Sequence, residues 1–565
     1  MKTQTQIQTR IGLAMALTLA LLALLAPRAE AQDFVWKGAT AAWTNDAQWE
    51  PSASAADYAN AAKTFLVTSG TVQSVNGGTF AAQLTIRGNG DTNYSGGTLA
   101  LASGTATMSN WHLDGGRLYY NANANQTVNG ALTVDSDSFW DIAYGGGKTM
   151  TFNASIAGSG GLKAKIEQMQ FNLSAASNSY SGLWTILPSA GKLNTGAANC
   201  LGTGWVDILS GGSLGLFSDV SGLTGSGIVV RAGASLSVEG NSVAPIHMQG
   251  GTFGTLVAVN GAYTLGGSIY LDAPSTFKTP ASGGKWITVN STLYGTGGIT
   301  VTNFAGAASS FFDLTVDNSG TYTGAWTVVG GQLKGSAANA FGAGTVTATA
   351  GAVVRASASQ TIPVFYMGTG STFYAEWGYT CTMGSLHVAG AIIDCDNANK
   401  TLNGSIYVDS PSSLKGYGSD AGRSFTVGAT FRGSQRMTFN HTGGAPGQVY
   451  ITGNSGSTFS GGWTVSNGTL QLQNALGLGD GTGPLTIAAA GPKLYYEAAY
   501  TVTNSALTLG TDTFGDGTYS VTNTYVSQQA NSVVFTNFFS RKTGVNNGWV
   551  VVKELPKPGT VLMVQ

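Results

Sequence analysis

Three histidines and three aspartates recur at matched places in this chain, and together they invite an acid–base or metal proposal. The histidines lie in NWHLDGG, PIHMQGG and SLHVAGA, at His112, His247 and His387. The aspartates lie in GALTVDSDSFWD, GSIYLDAPSTFK and GSIYVDSPSSLK, at Asp135, Asp272 and Asp409, each 137 residues from the next. A long internal period is the mark of a repeat array. If each unit winds as about seven coils of roughly 20 residues, matched residues stand roughly 33 Å apart at about 4.8 Å per coil. Zinc ligands must sit about 2 Å from one ion. Paired catalytic carboxylates sit about 5–9.5 Å apart. Matched polar residues are therefore read as turn or corner residues.

Other candidates are weaker. Asp394-Cys395-Asp396 puts two carboxylates on one strand face near His387, a pattern that suits a weak Ca²⁺ site. The preferred reading leaves both acids in solvent with Cys395 pointing inward. Asp512 and Asp516-Gly517 suit tight turns. Lys163, Lys165 and Glu167 form the one dense charged run and read as a solvated face. No Ser-His-Asp signature, phosphate loop or zinc motif is present. No catalytic, cofactor-binding or metal residue is assigned, and no cofactor is expected.

Composition narrows the elements that must hold these groups. Glycine accounts for 82 of 565 residues, charged residues for only 9% and aromatics for 10%, with a net charge of −1. Disordered chains show the reverse balance, and nucleic acid would demand a positive field that is missing here. Three cysteines, Cys200, Cys381 and Cys395, are too few for a disulfide framework; Cys381 and Cys395 remain free to pair or not.

Residues 1–31 read as a signal peptide: Lys2 and Arg10, an apolar run over 11–26, and Ala29-Glu30-Ala31 for cleavage. No later stretch is apolar and long enough to span a bilayer as a helix. Trp36, Trp43 and Trp49 then follow at spacings of seven and six. They read as a sugar platform or, preferred, as a hydrophobic cap on the first coil, because an open strand edge recruits other chains. Onward from about 55, short alternating runs such as KTFLVTSG and QLTIRGNG are punctuated by glycine pairs. These are period-two strands between turns.

One recurring signpost carries a family resemblance. YSGLWTI, YTGAWTV and FSGGWTV are followed by Asn199-Cys200-Leu201-Gly202-Thr203-Gly204, Asn339-Ala340-Phe341-Gly342-Ala343-Gly344 and Asn474-Ala475-Leu476-Gly477-Leu478-Gly479. Over 180–216, 322–355 and 459–495 the chain resembles the autotransporter-associated β-strand repeat, also called the passenger-associated transport repeat. Trp184, Trp326 and Trp463 depart from that pattern, which more often has a small polar residue there. The resemblance implies an all-β chain, a right-handed parallel β-helix displayed outside a bacterial cell. A C-terminal barrel domain of the autotransporter kind is not expected from this sequence. Its Pro556-Lys557-Pro558-Gly559-Thr560 is similar to a Pro-Glu-Pro sorting signal with Lys557 in place of Glu, or matches it by coincidence.

The expected organisation is a signal peptide at 1–31, a cap and first coils at 32–104, and solenoid units at 105–242, 243–382 and 383–515. A C-terminal cap and tail then occupy 516–565. The expected function is a secreted, non-catalytic structural or adhesive rod at the cell surface, with surface glycans or envelope proteins as partners and no nucleic acid. Two alternatives use the same architecture. A polysaccharide lyase or hydrolase needs acids and bases clustered on neighbouring coils. A carbohydrate-binding protein needs a row of exposed aromatics, with Tyr119, Tyr120, Tyr495 and Tyr496 as the places to look.

Overall fold

The computed structural model describes residues 32–553, apart from segments at 91–95, 144–145, 224–226, 255–261, 281–283, 304–308, 377, 397–398, 418–423, 442–447, 489–490, 492 and 545–547. The leader expected at 1–31 and the PKPGT tail lie outside the described residues. Among the described residues no helix is long and apolar enough to cross a membrane.

One coil shows how the sequence makes the fold. Strand Gln126–Ser136 bends at Gly130 into two straight pieces, 126–129 and 131–134, and Ser138–Ala143 follows as a third. The next coil lays Thr149–Phe152, Ser155–Gly158 and Leu162–Ile166 beside them, all in parallel register. Three faces result, called first, second and third in chain order. Along each piece the alternation predicted from sequence holds. Val128, Leu132, Val134, Trp140 and Ile142 are buried in the central core, while Thr127 and Thr133 point outward. Burying one such aliphatic side chain contributes about 1.5–3 kcal/mol, but only a neighbouring coil can supply the cover, so coils are stable as a stack.

The bend explains why the GALTVD, GSIYLD and GSIYVD stretches open on glycine. Gly130, Gly267 and Gly404 have φ of +119°, +99° and +108°, a region costly for residues with a Cβ. A Cβ at Gly130 or Gly404 would also stand 1.6 Å from the carbonyl oxygen of Met108 or Met383 on the coil below.

The family-like motif has a similar logic. Trp184 donates its indole N–H to the Leu201 carbonyl at 3.0 Å, and Trp326 donates to Phe341 at 2.8 Å. Those carbonyls are presented by turns in which Asn199 and Asn339 take φ of +50° and +46°. Gly202 and Gly342 follow with no room for a side chain against the Tyr180 and Tyr322 carbonyls. In the third copy Asn474 is not among the residues of positive φ, and the Trp463 indole nitrogen has no partner.

Both ends are closed by a change of pairing. Phe34–Trp36 pairs antiparallel with Trp49–Glu50 and parallel with Thr64–Val67. Trp36, Trp43 and Trp49 are all buried, with Trp36 edge-on to Trp49 at 4.8 Å. They form a cap, and the sugar-platform reading is overturned. At the other end Leu507–Leu509 turns back antiparallel onto Asp512–Phe514, so closure begins at Asp512, inside the stretch read as the last unit. Phe514, Tyr519, Tyr525 and Phe535 fill that cap edge to face.

A repeat unit is shorter in coils than expected. Six parallel pairings carry the third face from the coil of His112 to His247, yet His112 itself lies on the second face. Six more carry the first face from Thr252, just after His247, to His387. Each unit thus spans six and a third coils, and each copy is turned by a third of a revolution from the last.

Candidate functional site

The repeated histidines and aspartates meet each other within each unit. His112 Nδ1 lies 2.8 Å from Asp135 Oδ2, and the His247–Asp272 and His387–Asp409 pairs are 2.9 Å apart. The partners are 23, 25 and 22 residues apart, one coil. Matched histidines and matched aspartates stand a whole unit apart; the contact runs between the two kinds, one coil apart.

The pair caps a corner. Ser138, Ser275 and Ser412, three residues after each aspartate, donate to the carbonyl two residues back. They accept the backbone N–H of Gly115, Gly250 and Gly390 on the coil below. H-x-x-G under D-x-x-S is thus one two-coil device, built three times on three faces. Each imidazole is about a quarter exposed, at 21%, 26% and 25%, and a solvated pair of this kind is worth about 0.2–1 kcal/mol. Nδ1 is committed to aspartate, which leaves the second ring nitrogen to meet a ligand.

Aromatic neighbours distinguish the copies. His247 stacks on Tyr270 at 4.4 Å, and Tyr270 on Tyr294 at 5.0 Å. His387 is sandwiched between Tyr366 at 4.8 Å and Tyr407 at 4.6 Å, with the Arg432 guanidinium 5.7 Å from the Tyr407 ring. His112 has Thr85 and Thr133 in those places.

The Asp394 expectation is corrected. Its side chain is only 4% exposed and pairs with Lys415 at 3.3 Å, because the register sets that lysine one coil above it. The side chains of Cys395 and Asp396 lie outside the described residues. Cys381 and Cys200 are buried free thiols; the pairing with Cys395 falls on a side chain outside the described residues. Burial pushes both thiols up to about 11. Lys165 pairs with Glu167, and Lys163 donates to the Gly90 carbonyl at 3.0 Å. Asp512 opens a strand and accepts from Ser527 at 2.8 Å, and Asp516 lies in the turn before Gly517–Ser520.

Sequence reading found no clustered acids and bases, and here the structure differs. Asp313, Lys334, Arg355, Tyr374, Asp394 and Lys415 occupy one outward column of the second face, one per coil. Residues scattered over a hundred positions become neighbours because the coil length spaces them. Each of its carboxylates is occupied: Asp313 by Lys334 at 3.6 Å and Asp394 by Lys415 at 3.3 Å, while Arg355 holds Glu376 at 2.9 Å. Among the described residues no three His, Cys, Asp or Glu side chains converge as metal ligands would.

The tyrosines singled out do not form an exposed row, and Tyr495 is only half-buried. Tyr120 and Tyr496 are buried, and Tyr119 lies beneath the Arg117 guanidinium at 4.2 Å. Among the described residues the exposed rings are instead Phe217, Trp286, Tyr366, Tyr379 and Trp549. The first face is of another character: Thr252, Thr276, Thr300, Thr327 and Thr347 align outward on successive coils. No protein-family model matches the chain, and no curated protein is significantly similar to it.

Proposed function

We propose that the protein is a non-catalytic structural or adhesive rod exported to the bacterial cell surface. The observation that carries this reading is how the outward charges are used. Asp313, Glu376 and Asp394 on the second face are each occupied by a cation of the adjacent coil, and the His–Asp pairs join coil to coil. Such pairs fasten a stack. The threonine column leaves a long uncharged surface whose hydroxyls can bond to a partner. The leader-like N-terminus and the three repeat-like segments support export and display.

The rival, a polysaccharide lyase or hydrolase, gains one observation: Lys334, Arg355 and Asp394 do sit on neighbouring coils. An enzyme needs one of these groups free to take a proton, whereas the carboxylates here are bound to cations. Fractionated cells, with mass spectrometry of both termini, test the proposal. The expected outcome is a surface fraction starting at Gln32. An uncleaved chain in the cytoplasm, or polysaccharide cleavage lost on Lys334→Ala, overturns it.

A further inference from the structure

We infer that the first face of the first unit, from Lys148 to Ser235, binds a neutral, hydroxyl-rich glycan chain. Three depressions of about 330–350 Å³ lie there, the first around Gly211–Ser213, the second around Thr149 and Gln170, and the third around Asn194 and Phe217; the first and second share Ala190–Lys192, and the second and third share Gln170. Each is in the size range of a small-ligand site, about 300–1,000 Å³. They cross five successive coils, those of Thr149, Gln170, Lys192, Ser213 and Ser235. At about 4.8 Å per coil the groove is roughly 19 Å long, room for several sugar rings in a row.

Three features choose the ligand. The first is an acceptor in need of a donor. Asn194 is 2% exposed and lines the third depression; its Nδ2 donates to Asn172 Oδ1 at 2.8 Å, while its own Oδ1 has no partner. A buried polar atom left unpaired costs about 1–3 kcal/mol, and a sugar hydroxyl is a donor that can remove the cost. Gly215, one coil on, leaves only the Lys192 stem and the Phe217 ring over that oxygen: a Cβ there would stand 2.5 Å from Asn194 Oδ1 and 3.2 Å from each, so a hydroxyl reaches Oδ1 by displacing the exposed Phe217 ring.

The second feature is Phe217, 40% exposed at the rim of the same depression. An exposed ring beside amides and hydroxyls suits the C–H face of a pyranose, which is apolar while its rim is polar. The third is charge. Lys192 lies at the centre of the groove, but its ammonium is paired with Glu239, which also accepts from Ser237 at 2.8 Å. Lys148, at one end, is the other charged lining residue; away from it the groove offers hydrogen bonds without a net field, which favours a neutral chain over an acidic one.

The inference does not depend on where the rod is displayed, because binding is read on the purified chain. The full chain is titrated calorimetrically with hexasaccharides of β-1,4-linked glucose, xylose and N-acetylglucosamine, and with hexagalacturonate. At least one neutral probe should bind. Phe217→Ala and Asn194→Ser should each weaken it about tenfold, as truncation of an interface anchor does. Trp286→Ala, an exposed ring on the second face, should leave binding and melting unchanged. Phe217 is exposed, so its variant should also keep the wild-type circular dichroism and melting. No binding of any neutral probe at millimolar concentration overturns the inference. So does binding that Phe217→Ala leaves intact, or binding of hexagalacturonate alone that salt abolishes.

Discussion

A single glycine decides whether the coil can turn. Gly404 combines a left-handed backbone with a carbonyl 1.6 Å from where a Cβ would stand. Gly404→Ala should cost on the order of 2–4 kcal/mol, the sum of backbone strain and steric clash. In a repeat array that loss is local, so hydrogen exchange should show lost protection over 383–415 with distant coils unaffected. Cysteine gives a second residue-level test. Cys200 and Cys381 hold their protons to about pH 11 when folded, against about 8.5 in an open chain. Between those values the unfolded state has lost a proton that the folded state keeps, so stability falls as pH rises through the window. Below pH 8 neither thiol should react with iodoacetamide until denaturant is added.

Within a motif, the indole tie is the element that differs among copies. Trp326→Phe leaves the Phe341 carbonyl without its donor and should cost about 1–3 kcal/mol. Trp463→Phe removes an indole N–H that has no partner and should be much milder, which local hydrogen exchange can compare directly. The motif itself was legible from aromatic, glycine and Asn-x-x-Gly spacing, as was the strand alternation. The pairing of its parts was not. Coil length is not constant: 31 residues separate Thr40 from Thr71 on the next coil, but only 17 separate Ser235 from Thr252. With no fixed coil length, sequence distance does not reveal which residue lies above which. This is why the His–Asp corner and the Asp313–Lys415 column were invisible although every residue in them was in plain view. Asp394 was misread for the same reason, since its cover comes from Lys415 on the next coil.

For the whole molecule, the repeat predicts where it can be cut. Removing 267–403, one period of 137 residues, joins the coil of His247 to the half of strand Lys400–Ser410 that follows the bend at Gly404. Each new neighbour is the counterpart of the one lost, so Asp409 should pair with His247 and Ser412 with Gly250. The shortened chain should stay soluble with an unchanged β-type circular dichroism spectrum and a comparable melting temperature. A deletion of similar size that starts mid-coil should aggregate, because it strands apolar side chains without partners and exposes a strand edge.

The extra third of a coil in every unit has one more result. Were the period a whole number of coils, the three corner devices would share one flank and leave the others bare. As built, the second, third and first faces each receive one. Viewed down the long axis, one imidazole–carboxylate corner therefore points in each of three directions, each at its own height along the stack.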